Sequence, residues 1–279
     1  MERLQENALP YDRARINAYS APGVGRWLSV APSRTLDKHL SSREVFTTVA
    51  LHLGVDVHGG GHVCRFCAAG LDAKGVHHGS CTAGGDITYR HHAVRDKLFA
   101  WALRGRMQPE LEKAGILEDD AIVMLSRRRP ADVLIHSPVS SEVNSRKVAW
   151  DVKVINALGN NHLGHTLQGA LLAADEYREH SLEHQDTARR CQENDVRYEP
   201  LVFTVQGGIQ ANAEAILSDL AAAVARAEGR DKKLVKGEIF QDLSMRLTRA
   251  AAKAVARRTP EVLASMDAND VLEDLLEDE

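Results

Sequence analysis

Two short apolar stretches place the strongest constraint on this chain: Arg129-Pro130-Ala131-Asp132-Val133-Leu134-Ile135 and Ala149-Trp150-Asp151-Val152-Lys153-Val154-Ile155. Each reads as a strand of β-branched and apolar residues that carries one acid in its interior. An unpaired carboxylate in a buried strand costs several kcal/mol or shifts its pKa upward. Two such acids on adjacent strands also repel each other. A divalent cation between them removes both problems. Lys153 lies two residues beyond Asp151, so strand alternation puts both side chains on one face. Two carboxylates and an ammonium on one surface can hold Mg²⁺, orient a water and neutralise charge on a phosphodiester. Taken alone, a proline, an acid and a D-x-K recur by chance, so the reading needs support from the rest of the chain.

The 279 residues suffice for one large core or two modest ones. A net charge of −4 argues against whole-surface attraction to nucleic acid, although an acidic stretch from Asp267 to Glu279 offsets more basic segments before it. No apolar run approaches the roughly 20 residues that span a bilayer, and no membrane partner is expected. The first residues, Met1-Glu2-Arg3-Leu4-Gln5-Glu6, lack the basic and apolar regions of a signal peptide, so an intracellular protein is expected. In a reducing compartment, three clustered cysteines point to metal binding before disulfides.

That cluster is Cys64-Arg65-Phe66-Cys67, followed by His77 and Cys81: C-x2-C, a nine-residue gap, then H-x3-C. Three thiolates and an imidazole close a tetrahedral zinc site of the structural kind, with no open position. His78 and His62 are alternative fourth ligands; His77 is preferred for its three-residue gap to Cys81. Such a site replaces a hydrophobic core in a small, loop-rich segment.

Around these motifs the periodicity predicts a brief strand at Trp27–Val30 and a helix over 45–53, with N-cap chemistry at Ser41 and Ser42 and a stop at Gly54. It predicts a helix over 91–114 with Val94, Leu98, Trp101 and Ala102 on one face. Strands follow at 121–125, 131–136 and 147–155, then a long helix over 163–191, a buried strand at 200–205 and a helix over 209–228. A last helix after Gly237 carries Arg246, Arg249, Lys253 and Arg257 as one basic stripe, opposite Phe240, Leu243, Leu247 and Ala254. The stripe is either a solvated face or a set of phosphate contacts. Cys191 stands alone and reads as a packing residue. The organisation expected is an N-terminal helical and linker segment (1–58), a zinc knuckle (59–90), an α/β core (91–230), and a C-terminal helix with an acidic tail (231–279).

Several motifs occur together and in order: Cys64-x2-Cys67, Gly75-x-His77-x3-Cys81, Gly84-Gly85-Asp86, Arg90-His91-His92, Arg95-Asp96, Arg129-Pro130-Ala131-Asp132 and Asp151-Val152-Lys153. From about Ser20 to about Pro260 the chain resembles the C-terminal restriction-like endonuclease region of non-LTR retrotransposon reverse transcriptase proteins, which carries a CCHC knuckle beside a PD-(D/E)xK nuclease. The resemblance implies a PD-(D/E)xK core (helix, three strands, helix, strand), structural Zn²⁺ on Cys64, Cys67, His77 and Cys81, and Mg²⁺- or Mn²⁺-dependent nicking of DNA. Asp132, Asp151 and the Val152 carbonyl would hold the catalytic metal. Lys153 would orient or help deprotonate the attacking water. Arg90, His91 and Arg95, with Arg246, Arg249, Lys253 and Arg257, would contact DNA. Element RNA and a reverse transcriptase are implied partners, in the nucleus, although this sequence has no Y-x-D-D-type polymerase signature.

The chain departs from the family in two places. His92 stands where the family usually has Asn, which keeps a polar group. In the family a lysine, often with a nearby tyrosine, sits on the helix after the third core strand; the matching Glu183-His184-Gln185-Asp186-Thr187 has neither, and no lysine occurs between Lys153 and Lys232. Either Lys153 supplies the ammonium from the strand, or the site is decaying. The second case makes the chain a catalytically inactive zinc-containing nucleic-acid-binding module of the same fold.

Overall fold

The computed structural model describes residues 8–117, 129–138 and 147–259. Helix α1 (Pro10–Ser20) is followed by α2 (Ser42–Leu53), which Ser41 and Glu44 start with a reciprocal capping box and Gly54 ends in the left-handed region at φ 70°. The one-turn α3 (Val76–Ser80) lies in the Cys/His segment. The long α4 (Asp86–Arg104) leads to β1 (Pro109–Leu111), β2 (Val133–Ile135) and β3 (Lys147–Ile155). Helices α5 (Leu163–Gln168), α6 (Leu172–Glu183) and α7 (Thr187–Glu193) connect β3 to β4 (Val196–Thr204). Helices α8 (Ala211–Glu228) and α9 (Lys232–Arg258) complete the described chain.

The strands form one mixed sheet in the order β1-β2-β3-β4. β1 with β2 and β2 with β3 are antiparallel; β3 and β4 run parallel, Lys147 opposite Val196 through Ile155 opposite Thr204. A parallel pair needs a long crossover, and α5 to α7 supply it. Alternation then sorts the side chains into two layers. Val133, Ile135, Val148, Trp150, Val152, Leu201 and Phe203 face α4, α8 and α9 and form the main core with Leu98, Leu217, Leu220 and Leu243. Leu134, Ala149, Val196 and Tyr198 face the other way and pack with Cys191 of α7, while Ile155 and Val202 pack on Ala173 and Ala174 of α6. The sheet therefore lies between two helical layers. Pro200 is tolerated inside β4 because that strand is an edge, where a missing N–H breaks no ladder on the outer side.

Several sequence-based expectations change. The 91–114 helix begins five residues earlier, at Asp86, and ends at Arg104; Pro109–Leu111 then forms an edge strand. Gly105 and the left-handed Arg106 and Gln108 break the helical run there. The single helix expected over 163–191 is three helices. Gly169 ends the first in an extended conformation, and Gln185 and Asp186 adopt positive φ between the second and third. Trp27 lies in a 3-10 turn, Arg26–Ser29, and not in a strand. The strand expected over 200–205 begins at Val196, and the last helix begins at Lys232, ahead of Gly237. Its Ile239, Phe240, Leu243 and Leu247 belong to the main core, so α9 is integral to it and not an appendage. The strand expected at 121–125 and the tail after 259 lie outside the described residues. No helix among the described residues is long and apolar enough to cross a membrane.

Candidate functional site: an acidic centre beside a Cys/His cluster

Asp132 immediately precedes β2, and its N–H donates to the Trp150 carbonyl (2.9 Å) although Trp150 is the ladder partner of Val133. The ladder is therefore irregular at this point. The Asp132 carboxylate fills the irregularity by accepting the Val152 N–H at 2.6 Å through Oδ2. The N–H and C=O of a strand residue point to the same side, so the Val152 carbonyl also faces the Asp132 edge of β3.

Asp151 and Lys153 alternate with the core residues Trp150 and Val152, so both lie on the α6/α7 face of the sheet. The Lys153 ammonium is 2.9 Å from Asp151 Oδ1. The Tyr198 hydroxyl, from β4, donates to Asp151 Oδ2. His91 of α4 reaches Asp132 Oδ1 through Nε2 at 3.2 Å. Three strands and one helix thus bring Asp132, Asp151, Lys153, Tyr198 and His91 together.

The electrostatics split the two acids. Burial works against ionised Asp132, but His91, the Val152 N–H and the Lys153 charge outweigh it and hold its carboxyl below the ordinary value. Asp151 is pushed above the ordinary value, first by burial and then by the negative charge of Asp132; Lys153 and Tyr198 only partly offset this. Burial alone would lower the Lys153 pKa, but Asp151, Asp132 and Tyr177 raise it, so the ammonium keeps its proton. Burial and Asp151 likewise keep the Tyr198 hydroxyl protonated.

The second cluster is a separate lobe. One donor atom from each of Cys64, Cys67, His77 and Cys81 lies within 4.8 Å of the others, so this group could hold a metal ion. Asp72 positions His77: its two carboxylate oxygens accept the Val76 and His77 N–H groups at 2.8 and 2.6 Å. Burial opposes ionisation of Cys64, yet backbone donors at Phe66 and Cys67 and the His77 side chain lower its pKa to about 6. A thiol so poised loses its proton to solvent readily when the thiolate ligates a metal. His78 points inward, is buried, and stacks obliquely on His58 with ring centroids 5.1 Å apart. Of the three histidines weighed from the sequence, His77 joins the cysteines.

This lobe docks on the core through charge. Phe66 lies under the guanidinium groups of Arg257 and Arg258, 5.0 and 5.2 Å from the ring centre. Both arginines pair with the buried Asp86 at the start of α4, Arg257 at 2.6 Å. Arg258 also donates to the Ala83 carbonyl at 2.8 Å. Between them Gly84 has φ +86°, and a Cβ there would come within 2.8 Å of the Phe66 ring. Removing one partner of a buried ion pair leaves an uncompensated charge. Asp86→Ala should therefore cost about 3–5 kcal/mol of stability, read as a lower denaturant midpoint with unchanged slope.

The residues expected to contact DNA divide sharply. Arg90 is 2 % exposed and donates to the Gly79 carbonyl at 3.1 Å, so it is not part of an exposed basic face. Arg249 is also buried and holds Asp37 (2.6 Å) and the His39 carbonyl (2.5 Å); Arg246 pairs with the same Asp37. The stripe on α9 thus clamps the 30–40 loop, with the acid and carbonyls of that loop as its partners. Arg95 pairs with Asp96 and Glu112, and Arg257 with Asp86. Lys253 remains exposed, over the ring of Tyr89 at 5.5 Å. His91, expected on DNA, is instead at Asp132.

The helical stretch after β3 offers no lysine, and its Arg189 pairs with Asp186 and Glu193 on the surface. Cys191 is buried, with its thiol pushed up to about 11 by burial, as suits a packing residue. Sequence reading missed Tyr198. The alternation Val196-x-Tyr198-x-Pro200 held the signal, which was lost by starting the strand at the proline. No protein-family model matches the chain, and no curated protein is detectably similar to it.

Proposed function

We propose that this protein is a metal-dependent DNA endonuclease with a PD-(D/E)xK-type core and a structural zinc knuckle, of the kind associated with non-LTR retrotransposons. The observation that carries this reading is that Asp132 and Asp151 come from adjacent strands within reach of each other's charge, with the Lys153 ammonium 2.9 Å from Asp151. Oxygen donors suit Mg²⁺ or Mn²⁺, and Asp151, held above its ordinary pKa by burial and by Asp132, gains most from a nearby cation. Asp132 and Asp151, with the Val152 carbonyl on the same side, would hold it. When bound, the cation supplies Lewis-acid stabilisation of a phosphoryl oxygen. The protein groups do the rest. Lys153 keeps its proton, so it acts as a donor that orients the attacking water and stabilises developing negative charge, and not as a base. His91, with Nε2 on Asp132 Oδ1, would position that carboxylate. Cys64, Cys67, His77 and Cys81 would hold Zn²⁺ with no open position, a structural role.

One observation favours a second reading. Every carboxylate oxygen of the pair already has a protein donor: the Val152 N–H, His91, Lys153 and Tyr198. A closed network of this kind also suits a catalytically inactive nucleic-acid-binding module. Nicking of supercoiled plasmid in Mg²⁺ by the wild-type chain, lost in Asp132→Ala, separates the two; a wild-type chain that never nicks would sink the nuclease.

Cation binding has a readout apart from activity. A carboxyl whose folded pKa is raised contributes stability that is present below its unfolded value and lost as pH rises through the folded one. Asp151 therefore weakens the metal-free protein as pH rises above the unfolded value near about 4. A cation at ten times its Kd adds about 1.4 kcal/mol, a rise in melting temperature of about 2–4 °C. The gain from Mg²⁺ should be larger at pH 8 than at pH 5 and absent in Asp132→Asn. An equal rise in that variant would place the cation elsewhere.

A further inference from the structure

A cleft of about 770 Å³ opens between the Cys/His lobe and the C-terminal end of β3. Its lining includes His77, Arg90, Asn156, Asn161, His162 and Tyr177. We propose that it takes one unpaired nucleotide of the strand being cut, with a phosphate on Arg90 and the base against the rings of His162 and Tyr177. This rests on the nuclease reading and specifies its substrate as a strand that is single-stranded next to the cut.

Arg90 carries the inference. It is almost fully buried yet makes no ion pair among the described residues. Its Nη2 donates to Gly79, while its Nε has no partner. The carboxylate at the start of its own helix, Asp86, is taken by Arg257 and Arg258. Burial drags the Arg90 pKa down to about 10. A buried cation whose counter-charge, Asp86, is shared with two other arginines is costly, and a guanidinium is matched best by the planar pair of acceptors on a phosphate or carboxylate.

The cleft adjoins the acidic centre in sequence along two elements, although neither carboxylate lines it. On α4, Ile87 and Arg90 line the cleft and the next residue, His91, touches Asp132. On β3, Val154 and Ile155 line it and the preceding residue, Lys153, touches Asp151. In the proposed complex the bound strand would run from Arg90 along these two elements to the carboxylates. The chemistry of the rim suits a base: the rings of His162 and Tyr177 stand edge to face, 6.0 Å apart, and Asn160 and Asn161 add amide donors and acceptors. The volume falls in the range of small-ligand sites and suits a nucleotide that has left its helix, as in base-flipping enzymes.

The test uses the full, zinc-loaded chain without added Mg²⁺. Fluorescence anisotropy compares a ten-nucleotide single strand with a blunt duplex of the same length, with AMP and inorganic phosphate as competitors. The single strand should bind at least about tenfold more tightly. His162→Ala and Asn161→Ala, on the rim, should each lose about five- to tenfold for the single strand and nothing for the duplex. Arg90→Gln should lose more, judged only if zinc content and melting are unchanged. Equal affinity for strand and duplex, or rim variants without effect, would overturn the proposal. So would displacement by AMP at concentrations equal to the oligonucleotide, which would mark a free-nucleotide site. Single-strand preference in a chain that never nicks plasmid would support the cleft while removing the nuclease; nicking with indifferent rim variants would do the reverse.

Discussion

Lys153→Ala should lower Mg²⁺-dependent nicking by about 10²–10³-fold, the usual effect of removing one preorganised electrostatic stabiliser. Its ammonium lies 2.9 Å from Asp151 and is held protonated by two carboxylates; in the proposed nuclease it would act on charge that develops in the transition state. The loss should therefore fall on kcat, with KM for DNA nearly unchanged. Lys153→Arg, which keeps the charge with a different reach, should recover part of the rate. Zinc content and DNA affinity should not move. A wild-type chain that fails to nick, so that Lys153→Ala changes nothing, would favour the decaying site. A large rise in KM with unchanged kcat would make Lys153 a binding residue.

Cys64→Ser or Cys81→Ser should empty the Cys/His lobe. Wild-type protein is expected to carry about one Zn²⁺ per chain by elemental analysis, and either variant close to none. Structural zinc in small peptides contributes about 10–16 kcal/mol of apparent binding energy, which is folding energy for the segment it closes. The lobe has little else: its apolar cluster is Cys64, Leu71 and Cys81 with Phe66 and Ala83 against it. Limited proteolysis should cut the variants between 55 and 85 while the sheet persists, because the main core draws on none of these residues. His77→Ala should also lose the metal. His78→Ala should keep it and lose some stability instead, since that ring fills buried space. Zinc retained in Cys64→Ser, or full stability after metal removal, would refute the knuckle.

The parts legible in the sequence were those that depend on local spacing. The alternation in Lys147–Ile155 marked β3 to the residue, and C-x2-C with H-x3-C marked four side chains that do converge. A strand has a two-residue period and a metal loop a short ligand gap, so neither needs knowledge of distant residues. Asp132 and Asp151 drew attention because an acid inside an apolar run demands a partner wherever it folds.

Tertiary structure decided what those partners are. His91 reaches Asp132 from a helix 41 residues away in sequence, and Tyr198 reaches Asp151 from a strand 47 residues away, as their numbering shows. No local pattern encodes such distances. The basic stripe of α9 shows the same limit from the other side. Spacing alone places Arg246, Arg249 and Arg257 on one helical face, but which surface meets that face is set by packing. Here the face meets Asp37 and Asp86, so cations that resemble a nucleic-acid contact serve as internal clamps. Arg90 is the reverse case: a residue of an apparently solvated helix became a buried charge facing a cleft, because the Cys/His lobe folds over it.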